Sequence, residues 1–403
     1  MSVLLAALPP HGGPDAAGVP LHDFSTNSNA CGPCPEALHA VQQADATCYP
    51  DPAYTALRES LGAFHGVAPE RIVLAGSASE FIHRITALAA QQGACAVALP
   101  AHCYGDYPQA AQARGLALLR SLGAYRTWSV ESENRPQRAQ FLPQLQPHSR
   151  AMGQKYGEKW AAAVDWQPTI SKSDRLLDAG SASLQWACEP GSPQGLADPA
   201  LGLWAQAAAD ADPAAPPVLR VLDCAYAPLR LDGAAWPESF APYWQLWTPN
   251  KALGLTGVRA AYAVAPPGSG AQVLALSALA PSWPVGAHGV AMLQAWVQPG
   301  VQRWRAASLV TLAVWKQRQL ALCERLGWAV QGGSLANYFC ALPPGGLQER
   351  DGAHLRAAGI KLRECTSFGL PGWVRLGVRP PAAQDALQVA WRARAPDAGK
   401  KDS

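Results

Sequence analysis

Apolar residues recur along this chain in two rhythms. Tyr54, Leu57, Leu61 and Phe64 fall three and four apart, which predicts an amphipathic helix over 53–64. Ile72-Val73-Leu74 is a short, wholly apolar run, as expected of a strand covered on both faces. After Ala75-Gly76-Ser77-Ala78-Ser79-Glu80 a helical rhythm returns at Phe81, Ile82, Ile85, Leu88 and Ala89. Residues 94–99, 218–222 (closing on Asp223), 243–247 and 258–264 predict further strands. Residues 306–326 predict a helix, and 337–342 and 374–378 two more strands. Strands alternating with helices predict an α/β fold with a mostly parallel central sheet and a smaller C-terminal α/β portion.

The stretch 126–180 breaks both rhythms. It is rich in Gln, Arg and Ser, carries three of the eight lysines, and is expected to be a surface insertion with some helix. Residues 395–403 are expected to form a solvated tail. No internal repeat is visible.

Composition narrows the function classes. Of 403 residues, 49% are hydrophobic and 15% charged, against about 25% charged in an average domain. A chain this long and this apolar predicts two packed domains, not extended disorder. Thirty-two cations against 29 acids leave +3, no excess that argues for nucleic acid or an anionic membrane. No segment reaches the roughly 18–20 apolar residues of a membrane span. The first ten residues lack the basic start of an export signal. Ten scattered cysteines suit a reducing, cytoplasmic setting.

Three segments could carry chemistry. Thr248-Pro249-Asn250-Lys251 lies in a turn bounded by glycine between two apolar strands, with Arg259 eight residues on. A lysine among apolar neighbours can attack a carbonyl as the free amine; a lone lysine is more often a surface-loop residue. Asp223 ends an apolar strand, where open α/β sheets bind ligands, with Tyr226 three residues later; the plainer role is a cap. Ser77-Ala78-Ser79-Glu80 is a capping box that opens a helix over 78–90 and leaves amides facing outward for a phosphate.

Together these segments resemble the class I/II aminotransferase family, the fold-type I pyridoxal-phosphate enzymes, over roughly 11–125 and 180–395. The resemblance implies pyridoxal 5'-phosphate as cofactor and Lys251 as its Schiff-base lysine. Asp223 would pair with the pyridine nitrogen and Tyr226 would sit near the ring hydroxyl. Arg259, Thr248 and the segment Ser77, Ala78 and Ser79 would hold the phosphate, while Tyr104 would stack on the ring. Tyr49, in Tyr49-Pro50-Asp51-Pro52, would reach the phosphate of a neighbouring subunit, which implies a homodimer. Arg375 would clamp the substrate carboxylate. The resemblance also implies an N-terminal segment (1–45) packed on the small domain, a large cofactor-binding domain (46–295) and a small C-terminal domain (296–403).

Two positions depart from the family pattern. Ser192 stands where an asparagine normally bonds the ring oxygen, and Asn250 replaces the small hydroxyl residue before the lysine. Within the family, His11-Gly12-Gly13 and Asp23-Phe24-Ser25-Thr26-Asn27-Ser28-Asn29 resemble the threonine-phosphate decarboxylase group of cobalamin synthesis. The histidinol-phosphate aminotransferase group shares part of the pattern. The first group implies His11 and Asn29 near the substrate phosphate, and both groups imply Arg363 as a second substrate arginine. The expected substrate is a phosphorylated amino acid, with decarboxylation and transamination both open. Two rivals remain: Cys31-Gly32-Pro33-Cys34 as a redox motif, and a non-catalytic protein on the same fold. A zinc site would need a second ligand pair, and none is evident.

Overall fold

The computed structural model describes residues 12–121, 128–130, 183–209, 218–233 and 242–394. Its centre is an eight-stranded sheet. In chain order the strands are β1 (Ile72–Ala75), β2 (Ala96–Leu99), β3 (Ala117–Ser121), β4 (Trp128–Val130), β5 (Leu184–Cys188), β6 (Leu219–Asp223), β7 (Trp244–Trp247) and β8 (Ala261–Val264). Across the sheet they run β1-β8-β7-β6-β5-β2-β3-β4. The five strands from β7 to β3 are mutually parallel; β8 and the edge strand β4 run antiparallel to their neighbours. This is the mostly parallel α/β sheet that the alternating rhythm predicts.

β1 is apolar throughout because both its faces are covered. On β1, Val73 and Ala75 join a core with Phe81, Ile82 and Ile85 of helix α3 (Ala78–Gln91). Ile72 and Leu74 join the opposite core, with helices α1 (Pro35–Gln42) and α2 (Thr55–His65). Helix α4 (Asp106–Gln112) packs its Tyr107, Ala110 and Ala111 on the first face, and α5 (Ala200–Ala209) follows β5. Helices α6 (Gly270–Ala278), α7 (Ala287–Trp296) and the 27-residue α8 (Pro299–Arg325) lead to a second, four-stranded antiparallel sheet.

That sheet runs β9 (Ala329–Val330), β10 (Tyr338–Leu342), β12 (Val374–Gly377), β11 (Arg363–Glu364), backed by helices α9 (Glu349–Ala357) and α10 (Pro381–Ala393). His22–Asp23 pairs in parallel with Ile360–Lys361, tying the chain's beginning to this portion. Among the described residues no helix is long and apolar enough to cross a membrane.

Several boundaries differ from those predicted. The helix expected over 306–326 begins at Pro299, whose fixed φ suits a first turn. The strand expected over 258–264 keeps only Ala261–Val264; 258–260, which carry Arg259, are a bend and irregular chain. Strands β3 and β5 were not predicted. Of the expected insertion 126–180, residues 128–130 form β4, and 126–127 and 131–180 lie outside the described residues, as does the expected tail 395–403.

Candidate active site

Five strand ends meet over a cavity of about 210 Å³. Each places a side chain where a parallel sheet leaves its strands' C-terminal ends open. The end of β6 supplies Asp223 and, past it, Tyr226. The end of β7 supplies Thr248, Asn250 and Lys251, and the turn after β1 supplies Ser77, Ala78 and Ser79. The loop after β2 supplies Tyr104, and the loop after β5 supplies Ser192. Arg259 and Thr256 close the rim.

The local sequence accounts for these positions. Ser77 caps α3, its Oγ accepting from the Glu80 amide at 3.1 Å, while Glu80 Oε2 accepts from the Gly76 amide at 3.2 Å. The reciprocal cap fixes the first turn of α3 against the cavity. The lysine turn is clasped from behind. Asn29 N donates to Lys251 O at 2.9 Å and Cys34 N to Leu253 O at 2.8 Å. Gly254 adopts φ +70° with its backbone against Gly32, and a Cβ there would sit 2.6 Å from Gly32 O. Only glycine fits both conditions.

The electrostatics centre on Asp223. Its Oδ2 accepts from the Tyr107 hydroxyl at 2.6 Å and its Oδ1 from the Ala225 amide at 2.8 Å. Burial pushes the carboxyl above its usual range, and the two hydrogen bonds and the Lys251 charge oppose that rise. Lys251 Nζ lies 5.3 Å from the centre of the Tyr226 ring. The Tyr104 hydroxyl lies 3.3 Å from Ser79 Oγ and is pushed up by burial and by Asp106.

Ten residues singled out from the sequence line this cavity together: Lys251, Asp223, Tyr226, Arg259, Thr248, Ser77, Ala78, Ser79, Tyr104 and Ser192. The two arginines lie just behind its wall. Arg375, on β12, donates from Nη1 to Ser192 Oγ at 3.1 Å and from Nη2 to Ser25 O at 2.9 Å. Arg363, its partner on β11, donates to Ser367 Oγ at 2.7 Å. Both guanidiniums face the Phe368 ring, at 4.7 Å for Arg363 and 5.7 Å for Arg375.

Three expected residues are not brought to the cavity. Asn29 is buried and its amide is committed inside the fold, donating to Ala252 O and Ser308 Oγ and accepting from Cys31 N. That corrects its assignment to substrate. Tyr49 is 77% exposed, stacks on Trp283 at 4.3 Å and does not line this chain's own cavity. His11 lies outside the described residues. The sequence also missed Thr26, Tyr107, Cys188 and Thr256, which line the cavity; Tyr107, three residues past Tyr104 and followed by Pro108, gave only a tyrosine at a helix start.

The redox rival fails on chemistry. Cys34 is fully buried and Cys31 is partly so, and burial pushes both thiols up, whereas a reactive dithiol needs at least one lowered. None of the ten cysteines is in a disulfide.

The fold and site define the class: a fold-type I architecture of the pyridoxal-phosphate kind. The model for aminotransferase class I and II matches residues 19–132. The chain is 28% identical over 248 residues, 60% of its length, to histidinol-phosphate aminotransferase 1 of Thiobacillus denitrificans. Over 91 residues, 22% of its length, it is 37% identical to the adenosylcobalamin biosynthesis bifunctional protein CobDQ of Leptospira interrogans. These matches span 53% and 10% of those relatives' own lengths. Among solved structures, histidinol-phosphate aminotransferase from Sinorhizobium meliloti in complex with pyridoxal-5'-phosphate superposes with TM-score 0.67 at 20% identity, covering 98% of both chains. L-threonine-O-3-phosphate decarboxylase from Porphyromonas gingivalis superposes with TM-score 0.66 at 16% identity, covering 92% of this chain and 98% of its own. The family model covers just over a quarter of the chain, and these solved structures share its fold; the Sinorhizobium one holds pyridoxal-5'-phosphate.

The residues present fit that cofactor. Thr248 Oγ1 and Asn250 Oδ1 are buried in the cavity wall without a hydrogen-bond partner. Orphaned polar atoms beside a lysine and a helix N-terminus are what an anionic ligand would satisfy.

Proposed function

We propose that this chain acts on a phosphorylated amino acid, in the manner of a threonine-phosphate decarboxylase of cobalamin biosynthesis. The observation that carries the substrate class is the pair Arg363 and Arg375, held on facing strand positions around Phe368 beside the cavity that Lys251 lines. Two guanidiniums at one cavity suit a ligand with two anionic groups. The similarity to CobDQ and to the Porphyromonas decarboxylase supports this reading. The second reading is a histidinol-phosphate type of aminotransferase, favoured by the Thiobacillus and Sinorhizobium proteins.

Bound here, pyridoxal phosphate supplies an electron sink conjugated to the substrate Cα. Lys251 would hold it covalently, and Asp223 would keep its ring nitrogen protonated. Ser77, Ser79, Thr248 and Arg259 would bind its phosphate, with the amide of Ala78. Tyr104 would cover the ring, and Tyr226 and Ser192 would face its hydroxyl. Arg375 and Arg363 would hold the substrate's carboxylate and phosphate, so they determine which Cα bond is presented for cleavage. Lys251 Nζ would carry the proton to or from Cα. If the bond presented is Cα–carboxylate, carbon dioxide leaves; if it is Cα–H, Lys251 removes that proton and transamination follows.

The division into 1–45, 46–295 and 296–403 belongs to the same proposal, supported by two sheets that share no strand and by α8, which starts at Pro299. So does a homodimer, supported by the exposed Tyr49–Trp283 stack. A cytoplasmic location is supported by the ten cysteines, none of them in a disulfide.

The test begins with purified protein and pyridoxal phosphate. A visible absorbance band should appear, and borohydride should fix the cofactor on Lys251. Threonine phosphate alone should then release carbon dioxide; a requirement for 2-oxoglutarate would favour the aminotransferase. A label on another lysine, or no band, would overturn the central assignment.

A further inference from the structure

We propose that Tyr107 is a positioning residue that acts through Asp223, holding its carboxylate ionised and aimed into the cavity and so setting how tightly the site takes a ring with a protonated nitrogen. The inference rests on the assignment of pyridoxal phosphate to this cavity, and adds a residue that the motif resemblance does not contain.

The geometry is specific. Asp223 is 4% exposed, and one of its two oxygens is served by the Tyr107 hydroxyl. The other takes the Ala225 amide, two residues along the same chain. Without Tyr107, Oδ2 would lose the hydrogen bond that serves it. A buried carboxylate short of a donor favours its neutral form. A neutral acid cannot keep a proton on a neighbouring ring nitrogen.

The donor is itself rigid. The Tyr107 ring is fully buried, stacked on Trp186 of β5 at 4.5 Å and 15°, and meets Tyr104 edge-on at 5.9 Å. Its hydroxyl therefore approaches Asp223 from a helix wedged on the sheet, not from a mobile loop. Burial and the Asp223 charge push its own ionisation well above the usual tyrosine range, so it remains a donor. Of the charged groups nearby, Lys251 favours the carboxylate and Asp106 opposes it.

The experiment compares two ligands on Tyr107→Phe: pyridoxal phosphate, and its analogue with carbon in place of the ring nitrogen. If Tyr107 acts through Asp223, affinity for the cofactor falls about ten-fold or more, as expected for a lost hydrogen bond to a charged group. Affinity for the analogue changes less than about two-fold on the same ground. In an Asp223→Asn background the further change Tyr107→Phe should leave cofactor affinity unaltered. Site-specific 3-fluorotyrosine at 107, of nearly the same shape and a stronger donor, should tighten the cofactor relative to the analogue. It also keeps the test alive if the phenylalanine variant folds poorly. Equal losses for both ligands, or an undiminished loss in the Asp223→Asn background, would mean Tyr107 only packs and would overturn the inference. Failure of the unaltered protein to bind the cofactor would instead overturn the functional assignment.

Discussion

Arg375 Nη1 donates to Ser192 Oγ at 3.1 Å, and this contact joins the small antiparallel sheet to the wall of the cavity on the large one. Ser192 therefore stands between a proposed cofactor site and a proposed carboxylate clamp. The serine at this position is shorter than an asparagine, and its hydroxyl is already committed to the guanidinium. Ser192→Ala should leave Arg375 with one anchor, Ser25 O. Losing one such hydrogen bond predicts a KM for the amino acid raised about three- to ten-fold. Cofactor affinity should fall less than that, since Tyr226 also faces the ring hydroxyl. Steady-state kinetics with titration of the cofactor checks both, and an unchanged KM would separate Ser192 from substrate binding.

Phe368 makes a sharper test of the double-anion proposal. Its ring faces both guanidiniums, and its carbonyl accepts from His102 Nδ1 at 2.7 Å, which pins the turn to the loop before Tyr104. Phe368→Ala removes two cation–π contacts, each worth about 0.5–2 kcal/mol. Substrates with both carboxylate and phosphate should lose more than an unphosphorylated amino acid, because only they need both arginines held apart. The ratio of kcat/KM for threonine phosphate over threonine should fall about ten-fold. An equal loss for both substrates would show that the ring serves only the fold.

The cysteines of the Cys-x-x-Cys stretch should be dispensable for chemistry. This segment clasps the lysine turn through backbone groups, Cys34 N to Leu253 O and Asn29 N to Lys251 O. Replacing both cysteines with serine keeps those amides. Activity should stay within about two-fold while stability falls by about 1–2 kcal/mol, since Cys34 is buried and a hydroxyl there finds a poorer place. Turnover and urea midpoints measured on the same preparation distinguish the two effects.

How far the sequence could be read depended on the kind of signal. The strands leading to Asp223 and Lys251 were legible because apolar residues dominate them, broken only by Arg220 and Gln245, and polar residues follow at their ends. The Ser77–Glu80 cap was legible because its spacing is fixed by helix geometry. Tyr107 was not, because a tyrosine at the start of a short helix looks the same whether it packs or donates to an acid strands away. Asn29 misled for the opposite reason. Its segment does approach the lysine, but through backbone, and its amide is consumed by Ala252 and Ser308. Strand β5, Leu184–Cys188, was missed because it comes straight after the polar stretch 126–180 that breaks both rhythms; the fold nonetheless buries all five residues.

Stability should also carry a pH signature from His65. It closes helix α2 among Phe64, Trp247 and Tyr262, with Nε2 2.9 Å from the Tyr262 hydroxyl. Burial lowers its pKa from the usual 6.5 to about 4. Between those values the unfolded chain binds a proton that the folded chain does not, so stability falls as pH drops from about 6.5 to 4, by at most about 3 kcal/mol. Asp198 works the other way. Burial raises its carboxyl to about 6, and its folded form binds the extra proton between about 4 and 6, so its contribution improves on acidification. The two oppose each other in the wild-type curve, so a variant at His65 is needed to isolate its part. His65→Gln can still bond Tyr262 but cannot titrate, so relative to wild type it should gain stability as pH falls below 6.5 and show no such gain above pH 7.5. Urea unfolding of both proteins at pH 4.5 and pH 8 gives the difference directly, and a pH-independent difference would mean that His65 is not held neutral by the fold.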